Sequence, residues 1–254
     1  MRLTVLGCSG GIGAGLRTTA MLLDDDVLID AGTGVGDLSI EALSRIEAVF
    51  LTHSHLDHVC SVPFIADAVG RLRETPLKIY GLRQTLDTLR AHVFNNLLWP
   101  DLTQLPHPDR PFVQCCEIAC GETVRVGQRA ITPLPASHIV PAVGYQIDSG
   151  AASVVFTGDS GPDDDLWEAI NAIGNLRYLI IETAFCQRDY DFAVVSQHLC
   201  PSLLADELAK LRVPAEVYIT HLKPSDRAVT IIQVTDVAGR FLPKALREGQ
   251  VFEF

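Results

Sequence analysis

The sequence predicts an α/β fold in four layers, an αββα sandwich, with residues 1–254 as a single domain. Three observations lead there. Short apolar runs broken by turns give way to helical spacing, and this order of strands then helices occurs twice along the chain. The 254 residues suffice for one large core. Hydrophobic residues make up 48% and charged residues 20%, without repeats or low-complexity tracts, which excludes disordered and fibrous classes.

In the first half, residues 3–6, 19–23, 27–29 and 48–51 read as strands, with Asp24-Asp25-Asp26 as a hairpin turn. Residues 62–73 and 82–98 carry helical spacing, and the proline-rich stretch 101–111 reads as a surface loop. Strands return at 123–126, 130–133, 142–147 and 153–156. A helix is expected at 164–173, where acidic residues in the first turn suit the helix dipole. Residues 177–182 form a near-continuous apolar run, the mark of a strand buried on both faces. A helix at 198–211 and a strand at 216–220 complete the pattern.

The formal charge of −11 disfavours general binding to nucleic acid, though bound divalent metal would still admit an anionic substrate. Seven cysteines, an odd number in a chain this long, do not suggest a secreted disulfide framework. Cys115, Cys116 and Cys120 lack a second pair with metal-ligand spacing and read as structural thiols. The first strand breaks too early for a signal peptide and no apolar run reaches the length of a membrane span, so a cytoplasmic protein is expected. Gly10-Gly11-Ile12-Gly13-Ala14-Gly15 lacks dinucleotide-motif spacing and reads as a tight turn or a backbone lining the site.

The informative segment is His53-Ser54-His55-Leu56-Asp57-His58, directly after a strand. Imidazole nitrogens and carboxylate oxygens are the donors of zinc and related metals. Four of them within six residues would arise by chance in fewer than roughly one shuffled chain in a thousand. Further donors stand after later strands, namely His138, Asp159 in Thr157-Gly158-Asp159, and His221 in Tyr218-Ile219-Thr220-His221. His92 and His107 fall in helical and proline-rich stretches and read as satisfied or surface histidines.

On these residues the chain resembles the metallo-β-lactamase superfamily nearly end to end, with Ile29-Asp30-Ala31-Gly32 as a further match. The resemblance implies that His53, His55 and His138 hold one metal and Asp57, His58 and His221 another, with Asp159 bridging. Asp30 would steady a ligand loop. Within the superfamily the chain is similar to the class II cyclic-nucleotide phosphodiesterases. Phe94-Asn95-Asn96 with Trp99-Pro100-Asp101, Ile181-Glu182-Thr183, His198-Leu199 and Tyr218 to Pro224 carry that likeness. Cys60-Ser61-Val62-Pro63-Phe64 follows the signature only in part.

The expected activity is hydrolysis of a small phosphodiester, a 3′,5′-cyclic nucleotide first, by a hydroxide bridging two divalent metals. Zinc is the expected metal, with manganese or iron as other occupants. The candidate catalytic residues are Asp57, His198 and Glu182, with His198 as proton donor to the leaving group and Glu182 as its orienter. A small-molecule partner is expected, without membrane or nucleic acid, and a homodimer is admitted. The alternatives are a lactonase, a thioesterase or an RNA 3′-end nuclease on the same scaffold. A lactonase has no need of the Glu182–His198 pair, and an RNA nuclease would call for a basic arm that this acidic chain lacks. His55 stands where redox di-iron relatives carry a carboxylate, and the full set of seven ligands argues against a dead binding module.

Overall fold

Strands rich in Val, Ile and Leu, the inner ones buried at nearly every position, build two seven-stranded sheets in this computed structural model, which describes residues 1–254. The chain divides into two units, one sheet in each. The first contains residues 1–7, 17–118 and 248–253, and the second residues 8–16, 119–247 and 254.

In the first unit the sheet order is Val251–Glu253, Arg2–Gly7, Ala20–Leu23, Val27–Ile29, Ala48–Phe50, Leu77–Gly81 and Val113–Glu117. Its first four strands pair antiparallel, and from Val27–Ile29 onward the pairing is parallel. One face presents Ala20, Leu22, Leu28, Val49, Leu51, Leu77 and Ile79 to helix residues Leu43, Val62, Ile65, Val69, Leu86 and Leu89. Alternation along each strand puts these side chains on one side.

In the second unit the order is Lys244–Ala245, Glu216–Thr220, Leu176–Glu182, Ser153–Phe156, Ala142–Asp148, Arg129–Ala136 and Val124–Val126. The first four run parallel and the last three antiparallel to their neighbours. Leu179, Ile181, Val155, Val217 and Ile219 pack against Leu166, Trp167 and Ile170 of helix Asp164–Asn171, Leu204 and Leu208 of helix Pro201–Leu208, and Val234 of helix Arg227–Ala238. Asp163 caps the first of these by accepting from the N–H groups of Asp165 and Leu166. The Trp167 indole donates to buried Glu207 at 2.6 Å, joining that helix to the next.

Several expected elements change. The helix expected over 82–98 ends as Arg83–His92. The Asn95 side chain donates to the carbonyl of Ala91 and accepts from the N–H groups of Leu97 and Leu98, and Asn96 takes φ +60°. Phe94 and Trp99 therefore lie in a turn, Phe94 buried and Trp99 partly so. The stretch 101–111 contains a two-stranded hairpin, Pro106–His107 with Arg110–Pro111. The helix expected over 198–211 begins only at Pro201, which suits a first-turn position, so His198 does not open it. Strands Leu77–Gly81 and Val113–Glu117 and helices Ile40–Arg45, Tyr190–Val195 and Arg227–Ala238 were not expected.

Cys115 and Cys116 are neighbours on one strand and point to opposite faces, and all seven cysteines are free thiols. His92 and His107 are exposed. No helix is long and apolar enough to cross a membrane. Leu179 is fully buried in an inner strand of the second sheet, Leu176–Glu182. Leu179→Ala is expected to cost about 2–5 kcal/mol, measured as a lower urea midpoint with unchanged slope.

Candidate metal centre

In each unit most of the candidate residues follow the carboxyl ends of parallel strands, where α/β sheets present their ligand-binding residues, while His138 follows the antiparallel strand Arg129–Ala136 and His198 follows helix Tyr190–Val195. In the first unit Asp30 follows Val27–Ile29, and Thr52 and His53 follow Ala48–Phe50. The N–H of Asp30 donates to the carbonyl of Phe50 at 2.8 Å, and that of Ala31 to His58 at 2.6 Å. Asp30 sits at φ +56°, which turns its side chain back under the histidine segment.

The Asp30 carboxylate is fully buried and accepts from three donors. Thr52 supplies its N–H at 2.8 Å and its hydroxyl at 2.8 Å, and His58 donates from Nδ1 at 2.7 Å. Thr52 Oγ1 also lies 2.9 Å from Nδ1 of His53. The hydroxyl has one proton, which the carboxylate takes, so the hydroxyl oxygen accepts from His53. Both rings thereby carry their proton on Nδ1 and keep the lone pair on Nε2, the form in which imidazole binds a metal. The His53 ring centroid lies 4.6 Å from that of His55 and 4.3 Å from that of His58, while Asp57 Oδ2 is 3.8 Å from His58 Nε2. Burial pushes the Asp30 carboxyl up from its ordinary pKa, against the opposing pull of His58 and Thr52.

In the second unit Asp159 follows Ser153–Phe156, Glu182 ends Leu176–Glu182, and His221 follows Glu216–Thr220. Ligand atoms of Asp159, His198 and His221 lie within 4.8 Å of one another. Asp159 Oδ1 is 3.2 Å from Nδ1 of His221, and the His198 and His221 rings stack with centroids 5.4 Å apart. His138 donates from Nδ1 to the carbonyl of Gln197 at 3.1 Å, so its lone pair is also on Nε2.

Glu182 is fully buried. Its Oε1 accepts from Nδ1 of His198 at 2.8 Å and from the N–H of Leu199 at 3.3 Å, and its Oε2 from the N–H of Ala184 at 2.9 Å. Burial pushes Glu182 up, opposed by His198. For His198 burial acts downward, but the charge and hydrogen bond of Glu182, with Asp159 behind, outweigh it and hold its pKa above the ordinary histidine value. Lys223 Nζ donates to the carbonyl of Gly10 at 2.8 Å and sits 5.7 Å over the Phe185 ring.

His221 adopts φ +61° and donates its N–H to the carbonyl of Cys8 at 3.0 Å, while Gly10 donates to Leu222 at 3.1 Å. The turn at Gly10 thus backs His221, and a Cβ there would run into the His221 carbonyl oxygen. Imidazoles that carry a lone pair on Nε2 beside carboxylates are a donor set that fits borderline divalent metals such as zinc. Thr52 and Gln197 were not singled out in the sequence. The threonine between a strand and a histidine pair carried a faint signal, and a backbone carbonyl carries none.

Asp30→Ala is expected to weaken divalent-metal affinity about 10–100-fold, read by competition with a chromophoric chelator. It removes the acceptor that sets the tautomers of His53 and His58. Gly10→Ala is expected to lower stability by about 1–3 kcal/mol by denaturant titration, because the added methyl displaces the backbone of His221.

Comparison with known proteins bears on the fold and the family. The beta-lactamase superfamily domain profile matches residues 26–222. A 3′,5′-cyclic-nucleotide phosphodiesterase of Schizosaccharomyces pombe is 26% identical over 252 residues, covering 83% of this chain and 70% of that protein. Ribonuclease BN of Cronobacter sakazakii is 28% identical over 159 residues, covering 58% of this chain and 49% of that enzyme. Unliganded yeast PDE1 superposes with a TM-score of 0.84 at 18% identity, covering 100% of this chain and 99% of that one. The expected α/β class, with two large sheets flanked by helices, is that of the metallo-β-lactamase fold, with which divalent-metal binding is associated. The chain belongs to the metallo-β-lactamase superfamily and is a metal-dependent hydrolase of that family.

Proposed function

We propose that the protein hydrolyses a small phosphodiester, a 3′,5′-cyclic nucleotide first, at a centre of two divalent ions. His53, His55 and His138 would hold one ion and Asp57, His58 and His221 the other, with Asp159 shared. Zinc is the expected occupant. Support comes from the donor chemistry in each unit and from relatives named as cyclic-nucleotide phosphodiesterases. When bound, such ions lower the pKa of water and neutralise charge on the phosphoryl oxygens.

The observation that carries the reading is the buried pair of Glu182 and His198 beside Asp159. Opening a cyclic diester forms a P–O bond to water and breaks the bond to the ribose oxygen, which leaves as an alkoxide unless protonated. His198 would give that oxygen its proton from Nε2, with Glu182 holding Nδ1 and stabilising the imidazolium beforehand. Burial keeps Glu182 from serving solvent instead. Asp57 would act through the ion it helps to hold. The ribonuclease among the relatives makes RNA the second substrate to test.

The test is a panel of bis(p-nitrophenyl) phosphate, cyclic AMP, a precursor RNA 3′ end and a set of lactones, with zinc-loaded protein. Turnover of lactones alone, or of RNA without cyclic nucleotide, would overturn the reading. His198→Ala is expected to cost about 10²–10⁴-fold on cyclic AMP and far less on bis(p-nitrophenyl) phosphate, whose leaving group needs no proton. Equal losses on both substrates would remove the proton-donor role.

A further inference from the structure

The short helix Tyr190–Val195 ends in a turn that reaches both candidate histidines of its surroundings. The N–H of His198 donates to the carbonyl of Ala193 at 2.9 Å, and that of Gln197 to Val194 at 3.2 Å. This is the 6→1 and 5→2 pair of a Schellman cap, with Gln197 as the left-handed residue after the cap and His198 next to it. Glycine is usual in that place because a side chain there costs roughly 1–2 kcal/mol. Here a glutamine holds φ +53°.

A strained residue kept beside a site invites the question of what the strain secures. The carbonyl of Gln197 lies 3.1 Å from Nδ1 of His138. The neighbouring ring of His198 is held by Glu182 and lies with its centroid 4.9 Å from that of His138. Gly161 packs directly against the Gln197 backbone, where an added Cβ would meet its Cα at 3.2 Å and its carbonyl carbon at 3.3 Å. Gly161 in turn donates to the carbonyl of Ser137 at 2.8 Å, and Ser137 to the Ser160 hydroxyl at 3.0 Å. The segments carrying His138 and Asp159 are thus braced on each other, and Gln197 closes the brace.

We propose that Gln197 is a positioning residue whose left-handed backbone aims its carbonyl at His138, fixing the ring as the Nδ1–H tautomer with Nε2 presented to a metal. The same turn sets the neighbouring His198 on Glu182. The side-chain amide has no part in this, so the function resides in a conformation rather than in a residue type. The inference rests on the reading of His138 as a metal ligand.

The experiment uses full-length, zinc-free protein with ¹⁵N-labelled histidine. Long-range ¹H–¹⁵N spectra report the His138 tautomer, and chelator competition reports zinc affinity. Gln197→Gly, which suits positive φ, is expected to keep the tautomer and the affinity and to raise the denaturation midpoint. Gln197→Val, whose branched side chain disfavours positive φ, is expected to mix the tautomers and weaken zinc binding about 10–100-fold.

If Gln197→Val retains both properties while His138→Ala loses zinc affinity, this inference alone is overturned. If His138→Ala binds zinc as wild type does, the ligand assignment falls and this inference with it. Should the valine variant fail to fold, the glycine variant still decides. A changed His138 tautomer in Gln197→Gly would mean that the amide, not the backbone, does the positioning.

Discussion

A carboxylate buried away from water costs several kcal/mol unless donors surround it. Asp30 is such a group, and its donors come from the backbone and hydroxyl of Thr52 and from His58. Satisfying that one charge joins the end of one parallel strand to the segment after the next. Thr52 passes the constraint on to His53, so two rings twenty-odd residues downstream take their tautomer from a single buried carboxylate. Remove the carboxylate and neither imidazole has a reason to prefer Nδ1–H.

The second unit uses the same device with a different outcome. Glu182 also ends a parallel strand, is also fully buried and is also surrounded by donors, from Ala184, Leu199 and His198. It holds an imidazole, that of His198, whose pKa lies above the ordinary value. Asp30 with His58 and Glu182 with His198 thus share one geometry, a buried carboxylate accepting from the Nδ1 of an imidazole that follows it in the chain. His138 differs from both in that its Nδ1 faces a backbone carbonyl, that of Gln197, rather than a carboxylate.

What the sequence disclosed follows from where the chemistry is written. Histidines and carboxylates after apolar strands announce themselves by residue type and spacing, so the candidate donors were legible, while the pairing of Glu182 with His198 came from the family resemblance and is a hydrogen bond in the structure. Thr52 and Gln197 were not, since one acts through an ordinary hydroxyl and the other through a peptide carbonyl. The two-sheet organisation was legible from strand and helix order, but particular elements were not. Val113–Glu117 is an edge strand whose Gln, Cys and Glu residues lack an apolar pattern. Helix Arg227–Ala238 is rich in Val, Ile and Thr, whose branching lowers helix propensity, and the burial of Val234 and Ala238 against the second core offsets that preference. The Leu82–Leu98 periodicity overran because it could not register the Asn95 side chain competing for backbone groups.

Backbone strain follows the same division. Six non-glycine residues take positive φ, namely Asp24, Asp30, Asn96, Gln197, His221 and Leu242. Asp24 and Asn96 lie in turns and are of the types that tolerate that region. Asp30, Gln197 and His221 instead stand beside or among the candidate ligands. Each orients a polar group that an extended or helical backbone would turn elsewhere. Asp30 places a carboxylate under His58, Gln197 a carbonyl against His138, and His221 its own ring beside Asp159. A strained conformation persists only where its surroundings over-determine it. At His221 those surroundings are the hydrogen bond to Cys8 and the close approach of Gly10, and at Gln197 they are the two bonds of the helix cap and the contact with Gly161. Gly10, in a turn that offered no nucleotide motif, therefore bears on the candidate site by leaving room for the backbone of His221.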